Sequence, residues 1–268
     1  MPILTEDHKA YRKEKNFLSS HKGKRISRIL PLSRLIDSFQ NNTVYFPSIS
    51  AWDDPYEGFL YRLDFRDIDD TSIDFSRWLE NTFGQCWSYA GEYDAAWKIY
   101  GKNSDNELDY AVKIEVDLYE YYSHLYDNIK SSELLFYATD VKYEEKNYYV
   151  NIADTITYEN ILNSSGPIYL MENILNIKRK EFAYEEEVRF MYAPTSDSNG
   201  YGEHGVTFHV NIKPLVKNII FPPTMTFPTF GPLRTQLLDT GYTGGIQIST
   251  LYDFDLPQLV GKSIKLGI

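Results

Sequence analysis

The chain has 268 residues, 43% hydrophobic and 16% aromatic, which is enough to fold around one large core and excludes a disordered chain. Cys86 is the single cysteine, so an internal disulfide and a cysteine-rich metal site are both excluded. The net charge of −11 argues against nucleic-acid binding by the whole surface. No apolar run approaches the about 18 residues of a membrane span. We therefore predict a cytoplasmic protein without a membrane partner.

The charge is unevenly distributed along the chain. His8 to Arg28 contains eight Lys or Arg residues and one acidic residue, so this segment carries roughly +7 and the remainder roughly −18. We predict a basic N-terminal arm, residues 1–23, followed by one α+β domain of catalytic type, residues 24–268. The arm either contacts a polyanion, such as RNA or the phosphates of a dinucleotide, or forms a solvated terminal helix.

In chain order, the domain opens with a predicted strand, Arg25–Leu30. Pro31 then begins a helix that Asn41-Asn42 ends, because Leu32, Leu35, Ile36 and Phe39 recur at helical spacing. The next predicted elements are the strand Thr43–Pro47, a helix over Phe75–Phe83, the strand Gly84–Ser88, the helix Tyr93–Tyr100, the strand Asp109–Asp117 and the helix Leu118–Ile129.

The second half continues this mixture of strands and helices. Its predicted elements are the strand Phe136–Tyr143, the helix Ile168–Leu175, the strand Tyr184–Arg189, the strands Val206–Ile212, Lys217–Pro222 and Gly245–Thr250, and a helix near Leu233–Leu238. The absence of a regular βαβ rhythm favours the α+β class. We expect a single compact domain with a mixed, mostly antiparallel sheet or sheets and flanking helices.

The common catalytic fingerprints are absent from the sequence. There is no P-loop, no GxGxxG after a strand and no HExxH. Of the five histidines only His204 and His209 are close together, and an i, i+5 pair on a strand points to opposite faces, so we predict no metal site. Cys86, inside a predicted strand and without a partner histidine, is interpreted as a small core residue.

Lys180 to Tyr192, KEFAYEEEVRFMY, carries the most informative pattern. Strand alternation places Glu185, Glu187 and Arg189 on one face. The opposite face, mostly suited to burial, carries Tyr184, Glu186, Val188, Phe190 and Tyr192. The charged face is either an ordinary solvated face or the floor of a site.

Three other segments each allow two interpretations, one functional and one purely structural. Arg28 lies within an apolar strand and is either a ligand-binding cation or a surface residue at a strand end. The Asp53-Asp54-Pro55-Tyr56-Glu57 loop either binds a divalent metal or caps the next element. Trp97 and Tyr100, at i and i+3 on a helix after Ser88, are a core pair or part of a cofactor pocket.

These segments together resemble a large bacterial family known only as domain-of-unknown-function family 2971. Members share an early Arg or Lys, a D-P-[FY]-E loop, a C-[FW]-S strand, a W-x-x-Y helix and a K…[YW]-E-x-E-x-R strand. The resemblance covers roughly residues 24–255 and includes the C-terminal NIIFPP run and Ser249. The matching residues are Arg28, Asp54-Pro55-Tyr56-Glu57, Cys86-Trp87-Ser88, Trp97, Tyr100, Lys180, Tyr184-Glu185, Glu187 and Arg189.

A more remote similarity is to mono-ADP-ribosyltransferases, which present an Arg or His, then a Ser or Tyr, then a catalytic Glu, in that order. Arg28, Ser88 and Glu185-x-Glu187 follow this order, although the usual Ser-Thr-Ser is Ser88-Tyr89-Ala90 here. The similarity implies an ADP-ribosyltransferase-like fold and NAD as cofactor. It also implies that a fixed carboxylate stabilises the oxocarbenium-like ribose formed when nicotinamide leaves.

The expected function is NAD-dependent mono-ADP-ribosyl transfer to a protein or nucleic acid, by a bacterial or phage toxin or defence effector with a possible antitoxin or immunity partner. The expected catalytic residues are Glu187 and, on the acceptor side, Glu185. The expected cofactor-binding residues are Arg28, Ser88, Trp97 and Tyr100. The alternatives are a metal-dependent nuclease or phosphohydrolase using Asp53, Asp54, Glu57 and the Glu185/Glu187 face, and a non-catalytic sensing or interaction module.

Overall fold

The structure is a computed structural model. It describes residues 6–52, 54, 56–57, 59, 63–66, 69–73, 81–100, 110–129, 134–155, 175–194 and 204–253. All but the last residue of the predicted helix Ile168–Leu175, most of the predicted helix Phe75–Phe83, and residues Asp53 and Pro55 lie outside these ranges.

Strands provide most of the described framework. They are β1 (Arg25–Pro31), β2 (Val44–Pro47), β3 (Phe65–Arg66), β4 (Ser72–Ile73), β5 (Phe83–Ser88), β6 (Ala111–Asp117), β7 (Leu134–Asp140), β8 (Lys142–Glu144), β9 (Ile177–Arg179), β10 (Glu187–Pro194), β11 (Gly205–Phe208), β12 (Asn218–Phe221) and β13 (Gly245–Ile248).

The helices lie between and beside these strands. They are α1 (Glu6–Lys15), α2 (Leu32–Asn41), α3 (Asp94–Tyr100), α4 (Leu118–Asn128), α5 (Lys146–Thr155) and α6 (Phe227–Asp239), with short 3-10 helices at Ile49–Ala51, Lys180–Glu185 and Lys213–Leu215. No described helix is long and apolar enough to cross a bilayer.

Seven strands form the central sheet, in the order β13-β12-β6-β1-β5-β10-β7. Neighbours run antiparallel except β12 and β13, which are parallel. Three further pairs, β11-β2, β3-β4 and β8-β9, form small two-stranded sheets. The α+β class and the large, mostly antiparallel sheet are therefore confirmed.

The sheet is packed on both faces. Along β10, Val188, Phe190 and Tyr192 point into the largest core cluster, against which α2, α4 and α6 pack, whereas Met191 and Ala193 point into a second cluster on the other side. This strict alternation is what a central strand between two apolar layers requires. It also assigns every β10 side chain to one face.

α2 shows how local sequence sets an element's limits. Pro31 precedes the helix, and Leu32, Leu35 and Phe39 bury its apolar stripe, as predicted. Asn42 ends it in the left-handed conformation, with φ of 51°, and its N–H donates to the Ser38 carbonyl.

The N-terminal segment is attached to the sheet. The Leu18 N–H donates to the Ala138 carbonyl at 2.8 Å, and the buried Asn16 side chain donates to the Phe136 carbonyl at 3.2 Å. The Phe17 ring packs against Tyr122 at 5.2 Å. Residues 16–18 of the predicted basic arm are thus part of the fold around β7.

Candidate functional site

A row of polar side chains crosses five adjacent strands on one face of the sheet. Glu187 of β10 is opposite Ser88 of β5, Ser88 is opposite Ser27 of β1, Ser27 is opposite Glu115 of β6, and Glu115 is opposite Asn218 of β12. Directly opposite residues share a face, so these five side chains form one row, here called the polar row. Four strand spacings of about 4.8 Å make it roughly 19 Å long.

The polar row is partly open to solvent along its length. Ser27, Ser88, Glu115 and Asn218 are half-buried, and Glu187 is buried at one end. At the other end, Asn218 donates to Glu115 at 2.8 Å. An elongated ligand with several hydroxyl or amide groups would match this arrangement.

Lys178 lies within reach of three carboxylates at the Glu187 end. Its Nζ is 2.6 Å from Glu185, 3.2 Å from Glu187 and 3.3 Å from Glu57. Its side chain is 11% exposed, and the three carboxylate side chains are 4–8% exposed. A lysine that far from water is retained as a cation because three negative partners surround it.

Arg189 provides the second buried cation. Its Nε donates to Glu187 at 2.7 Å, one Nη to Glu57 at 2.6 Å, and the other Nη to the Leu175 carbonyl. The Trp52 ring covers the guanidinium at 4.3 Å. Glu57, Glu185, Glu187, Lys178 and Arg189 are here called the charge cluster, which holds one more carboxylate than cations.

Glu187 is held in its ionised form. Burial alone would raise its pKa, but the nearby Arg189 guanidinium and Lys178 ammonium outweigh burial and lower the pKa of Glu187 to about 2. The Glu187 N–H also donates to the Tyr143 hydroxyl at 2.7 Å. A carboxylate with this pKa is suited to stabilising positive charge and unsuited to donating a proton at neutral pH.

Glu185 faces a group of tyrosines at the surface. The Tyr100 hydroxyl donates to Glu185 at 2.8 Å, and burial together with that contact raises the pKa of Tyr100. The Tyr93 ring packs edge-on against Tyr184 at 5.9 Å. Tyr100 and Tyr184 remain 43% and 49% exposed. Aromatic surface is therefore available beside a buried carboxylate.

The predicted strand Tyr184–Arg189 is corrected in two respects. Residues 180–185 form a 3-10 helix, Glu186 takes the left-handed conformation with φ of 43°, and the strand begins only at Glu187. The alternative of a solvated charged face is wrong, since Glu185, Glu187 and Arg189 are buried whereas Tyr184 and Glu186 are exposed. The 3-10 turn brings Glu185 into the same cluster as Glu187.

Ser88 joins two parts of the site. Its hydroxyl donates to the Glu185 carbonyl at 2.6 Å and accepts from the Ala90 N–H at 2.9 Å. It therefore fixes the end of the 3-10 helix against β5, next to Glu187. Ser88, Glu185, Glu187 and Tyr100 are all brought together by the fold.

Trp97 lies outside the charge cluster. Trp97 packs with Ile29, Ala111 and Ile220 in a small apolar cluster, and its Nε1 donates to Glu92 at 3.0 Å. It holds α3 on the sheet.

Arg28 does not share the face of Ser88 and Glu187. It lies opposite Ile114, and the flanking Ile26 points into the main core cluster, so alternation directs Arg28 toward that side. Burial lowers the pKa of Arg28. Arg28, an expected cofactor-binding residue, therefore lies on the opposite face of the sheet from Glu187, because a shift of one residue along a strand reverses the face. Ser27 occupies the equivalent place in the polar row.

The acidic residues of the alternative metal site are engaged by cations. Asp54 pairs with Arg179 at 3.3 Å, and Glu57 contacts both Arg189 and Lys178. The Lys178 ammonium lies where a cation shared by Glu57, Glu185 and Glu187 would have to bind. Within the described part of the chain, no group of three or more His, Cys, Asp or Glu is arranged to hold a metal ion.

Sequence reasoning missed Lys178, Ser27 and Glu115. Lys178 is in β9, which pairs with β8 and reaches the cluster through the turn at residues 180–185. Nothing within the local pattern IKRK marks it. Ser27 and Glu115 are ordinary strand residues until the register places them opposite Ser88 and each other.

No protein-family model, curated protein or solved structure matches this chain.

Proposed function

We propose that the protein transfers ADP-ribose from NAD to a macromolecular acceptor. The observation that supports this best is the direct opposition of Ser88 and Glu187 on adjacent strands, with Glu187 ionised at neutral pH and Glu185 in the same charge cluster. Loss of nicotinamide develops positive charge on the ribose, and a preorganised carboxylate stabilises that charge without reorganising.

The surplus negative charge of the cluster supports a catalytic role for Glu187. Two cations among three carboxylates leave one negative charge uncompensated, so a ribose cation close to Glu187 is attracted and not repelled. Lys178 and Arg189 fix the carboxylate in place, as positioning residues. They also keep it ionised throughout the physiological pH range.

The polar row offers partners for the rest of the cofactor. The Ser27 and Ser88 hydroxyls and the Glu115 carboxylate suit ribose hydroxyl groups, since carboxylates commonly accept hydrogen bonds from ribose. Tyr100 and Tyr184 provide ring surface for a nicotinamide or for the acceptor. In this proposal Glu185 accepts the proton of the acceptor nucleophile, and Tyr100 orients Glu185.

The test measures nicotinamide release and transfer of labelled ADP-ribose to lysate protein and to nucleic acid. Glu187→Gln removes the charge but keeps the shape, and we expect turnover to fall by about 10² or more with little change in NAD affinity. Glu185→Gln is expected to reduce transfer more than hydrolysis. Glu186→Gln is the matched control, because Glu186 is exposed and lies outside the cluster.

Two further measurements keep the result interpretable. Glu187→Gln leaves Arg189 short of one buried partner, so melting curves must show that the variant is folded under assay conditions. Tyr100→Phe removes only the hydrogen bond to Glu185 and is expected to lower transfer without unfolding the protein. NAD should raise the melting temperature of the wild type, whereas a Mn²⁺ shift without an NAD shift would favour the nuclease alternative. Turnover equal to that of the wild type in Glu187→Gln, Glu185→Gln and Tyr100→Phe, as in the Glu186→Gln control, would refute the proposed function.

A further inference from the structure

A basic segment, residues 21–25, is held beside the candidate site by Tyr89. Tyr89 directly follows Ser88, and its N–H donates to the Glu186 carbonyl at 2.9 Å. Its ring contacts His21 edge-on at 4.8 Å and lies 5.6 Å from the Lys24 Nζ.

The other end of Tyr89 is also fixed. Its hydroxyl donates to Asp140 at 2.6 Å and is 2.8 Å from the Ser19 hydroxyl. The same aromatic side chain therefore joins the end of β5 to the chain entering β1. Residues 21–25 and Ser88 are held in one neighbourhood.

The cations of this segment are exposed and weakly engaged. Lys22, Lys24 and Arg25 are all exposed. Across the described ranges, Lys22 alone of the three has a carboxylate within ion-pair distance, Glu14 at 3.2 Å, with both side chains more than half exposed. Such a surface pair contributes little, so its lysine can exchange one anionic partner for another.

Arg25, unlike Lys24 and Tyr89 at the same end of the sheet, lies on the face of the polar row. It precedes Ser27 by two residues on β1, so its side chain projects on the same side of the sheet. Its Cα lies about 7 Å further along the strand. An anion bound by Arg25 would be adjacent to the Ser27 and Ser88 end of the row.

Exposed aromatic rings lie on the other side of Glu187. Tyr100 and Tyr184 have nearly half of their surface in solvent, and Tyr100 bonds Glu185. Tyrosines of this kind stack unpaired bases, while a basic strip beside them follows a sugar-phosphate backbone. Outside residues 8–28 the sequence carries roughly −18, which disfavours polyanion binding elsewhere on the chain.

We propose that the acceptor is single-stranded nucleic acid, with backbone phosphates bound by Lys24 and Arg25 and an unpaired base placed on Tyr184 or Tyr100. This inference rests on the proposed function. A nucleophilic base nitrogen or hydroxyl oxygen attacks C1 of the nicotinamide ribose, and the C1–nitrogen bond breaks with its electron pair passing to the departing neutral nicotinamide. The proton of the nucleophile passes to Glu185 and from there to solvent. A base inside a duplex cannot reach these rings, so single strands are the expected substrate.

Binding is tested apart from catalysis, by fluorescence anisotropy of short mixed-sequence DNA and RNA oligonucleotides over a salt series. The Lys24→Glu/Arg25→Glu variant is expected to bind about tenfold or more weakly than the wild type, with a salt slope shallower by about 1.4. Lys24→Gln/Arg25→Gln repeats the test without reversing charge. Arg234→Glu is the matched control. Arg234 is an exposed cation of α6, and Leu233 and Leu237 of this helix pack on the face of the central sheet opposite the polar row.

Labelled NAD then reports which molecule receives ADP-ribose. We expect label on the single-stranded oligonucleotide with the wild type and Arg234→Glu, and NAD hydrolysis without that transfer in the Lys24/Arg25 variants. NAD turnover with label only on lysate protein, or oligonucleotide binding insensitive to Lys24 and Arg25, would overturn this inference and leave the proposed function standing. Binding that needs both cations but no NAD consumption would instead overturn the proposed function and retain the nucleic-acid surface.

Discussion

At the residue scale, Glu187 shows how a buried charge is made tolerable. Moving a carboxylate out of water costs several kcal/mol, and that cost is offset only when cations and hydrogen-bond donors surround it. Arg189 and Lys178, which both donate to the carboxylate oxygens of Glu187, meet this requirement. Because these contacts favour the ionised form of Glu187, the free energy of unfolding depends on pH where Glu187 takes up a proton.

We expect acid to remove the stabilisation that Glu187 provides. Its pKa falls from 4.5 in the unfolded chain to about 2 in the folded one, so its contribution is present above pH 4.5 and is lost as pH falls toward 2. The gap in free energy of unfolding between wild type and Glu187→Gln should narrow by about 2 kcal/mol from pH 7 to pH 3. Urea unfolding at both pH values measures this.

Lys178 does not act within that pH range. Its folded-state pKa is raised, so its contribution is present below its ordinary pKa of 10.5 and is lost only as pH rises through the raised value. Glu186→Gln provides the acid-side control. A gap that stays constant between pH 7 and pH 3 would contradict the ionised state assigned to Glu187.

Part of this cluster was predictable from sequence. The alternation correctly placed Glu187 and Arg189 on one face, because a two-residue period is a local property of a strand, whereas Glu185 joins them through the 3-10 helix that the pattern did not predict. Their burial was not predictable, because it depends on Trp52 and Lys178, which reach the cluster from other segments. The face on which Arg28 lies was not predictable either, because strand register depends on pairing between distant segments.

At the element scale, β5 depends on a glycine where another element crosses it. A Cβ built on Gly84 would lie 2.9 Å from the Trp52 ring and 3.4 Å from the Ile49 side chain. Trp52 in turn covers the Arg189 guanidinium. The missing side chain at residue 84 therefore allows the indole to pack against the strand and also contact the charge cluster.

Gly84→Ala should consequently displace Trp52 and loosen the charge cluster. Forcing a methyl group into a packed contact costs about 1–3 kcal/mol, and we expect the free energy of unfolding to fall by that amount. Gly91→Ala is the control, because a Cβ there meets nothing within 4 Å. Urea unfolding of both variants measures the difference, and similar stabilities would show that Trp52 does not pack against β5 as described.

At the scale of the whole molecule, strand order assembles the site. β5 separates β1 from β10, so residues distant in sequence, 27, 88 and 187, meet on three adjacent strands. The α+β class and most of the strands in this sheet were predictable from composition and alternation. Strand order and register were not, because they depend on long-range pairing that no local pattern specifies.

The attachment of the N-terminal segment is the remaining feature that the sequence did not indicate. Residues 1–23 were predicted to be a basic arm on account of their charge. Phe17 instead packs its ring against Tyr119 and Tyr122, at 5.1 Å and 5.2 Å, and forms a β-bridge with Ala138 of β7. Its ring links α4 with the edge of the central sheet.

Phe17→Ala is therefore expected to destabilise the entire domain. Phe17 is half-buried, so removing the ring should cost about 2 kcal/mol, less than the same change at a fully buried aromatic position. Tyr11→Ala is the matched control, because Tyr11 is 66% exposed on α1 and its removal should change stability by about 0.5 kcal/mol or less. Urea unfolding followed by tyrosine and tryptophan fluorescence and by far-UV circular dichroism should show one coincident, shifted transition for Phe17→Ala. Equal stability of the two variants would mean that the segment lies on the domain without supporting it. Tyr89 holds residues 21–25 through contacts that do not involve Phe17. Phe17→Ala should therefore weaken oligonucleotide binding only under conditions in which the domain itself begins to unfold.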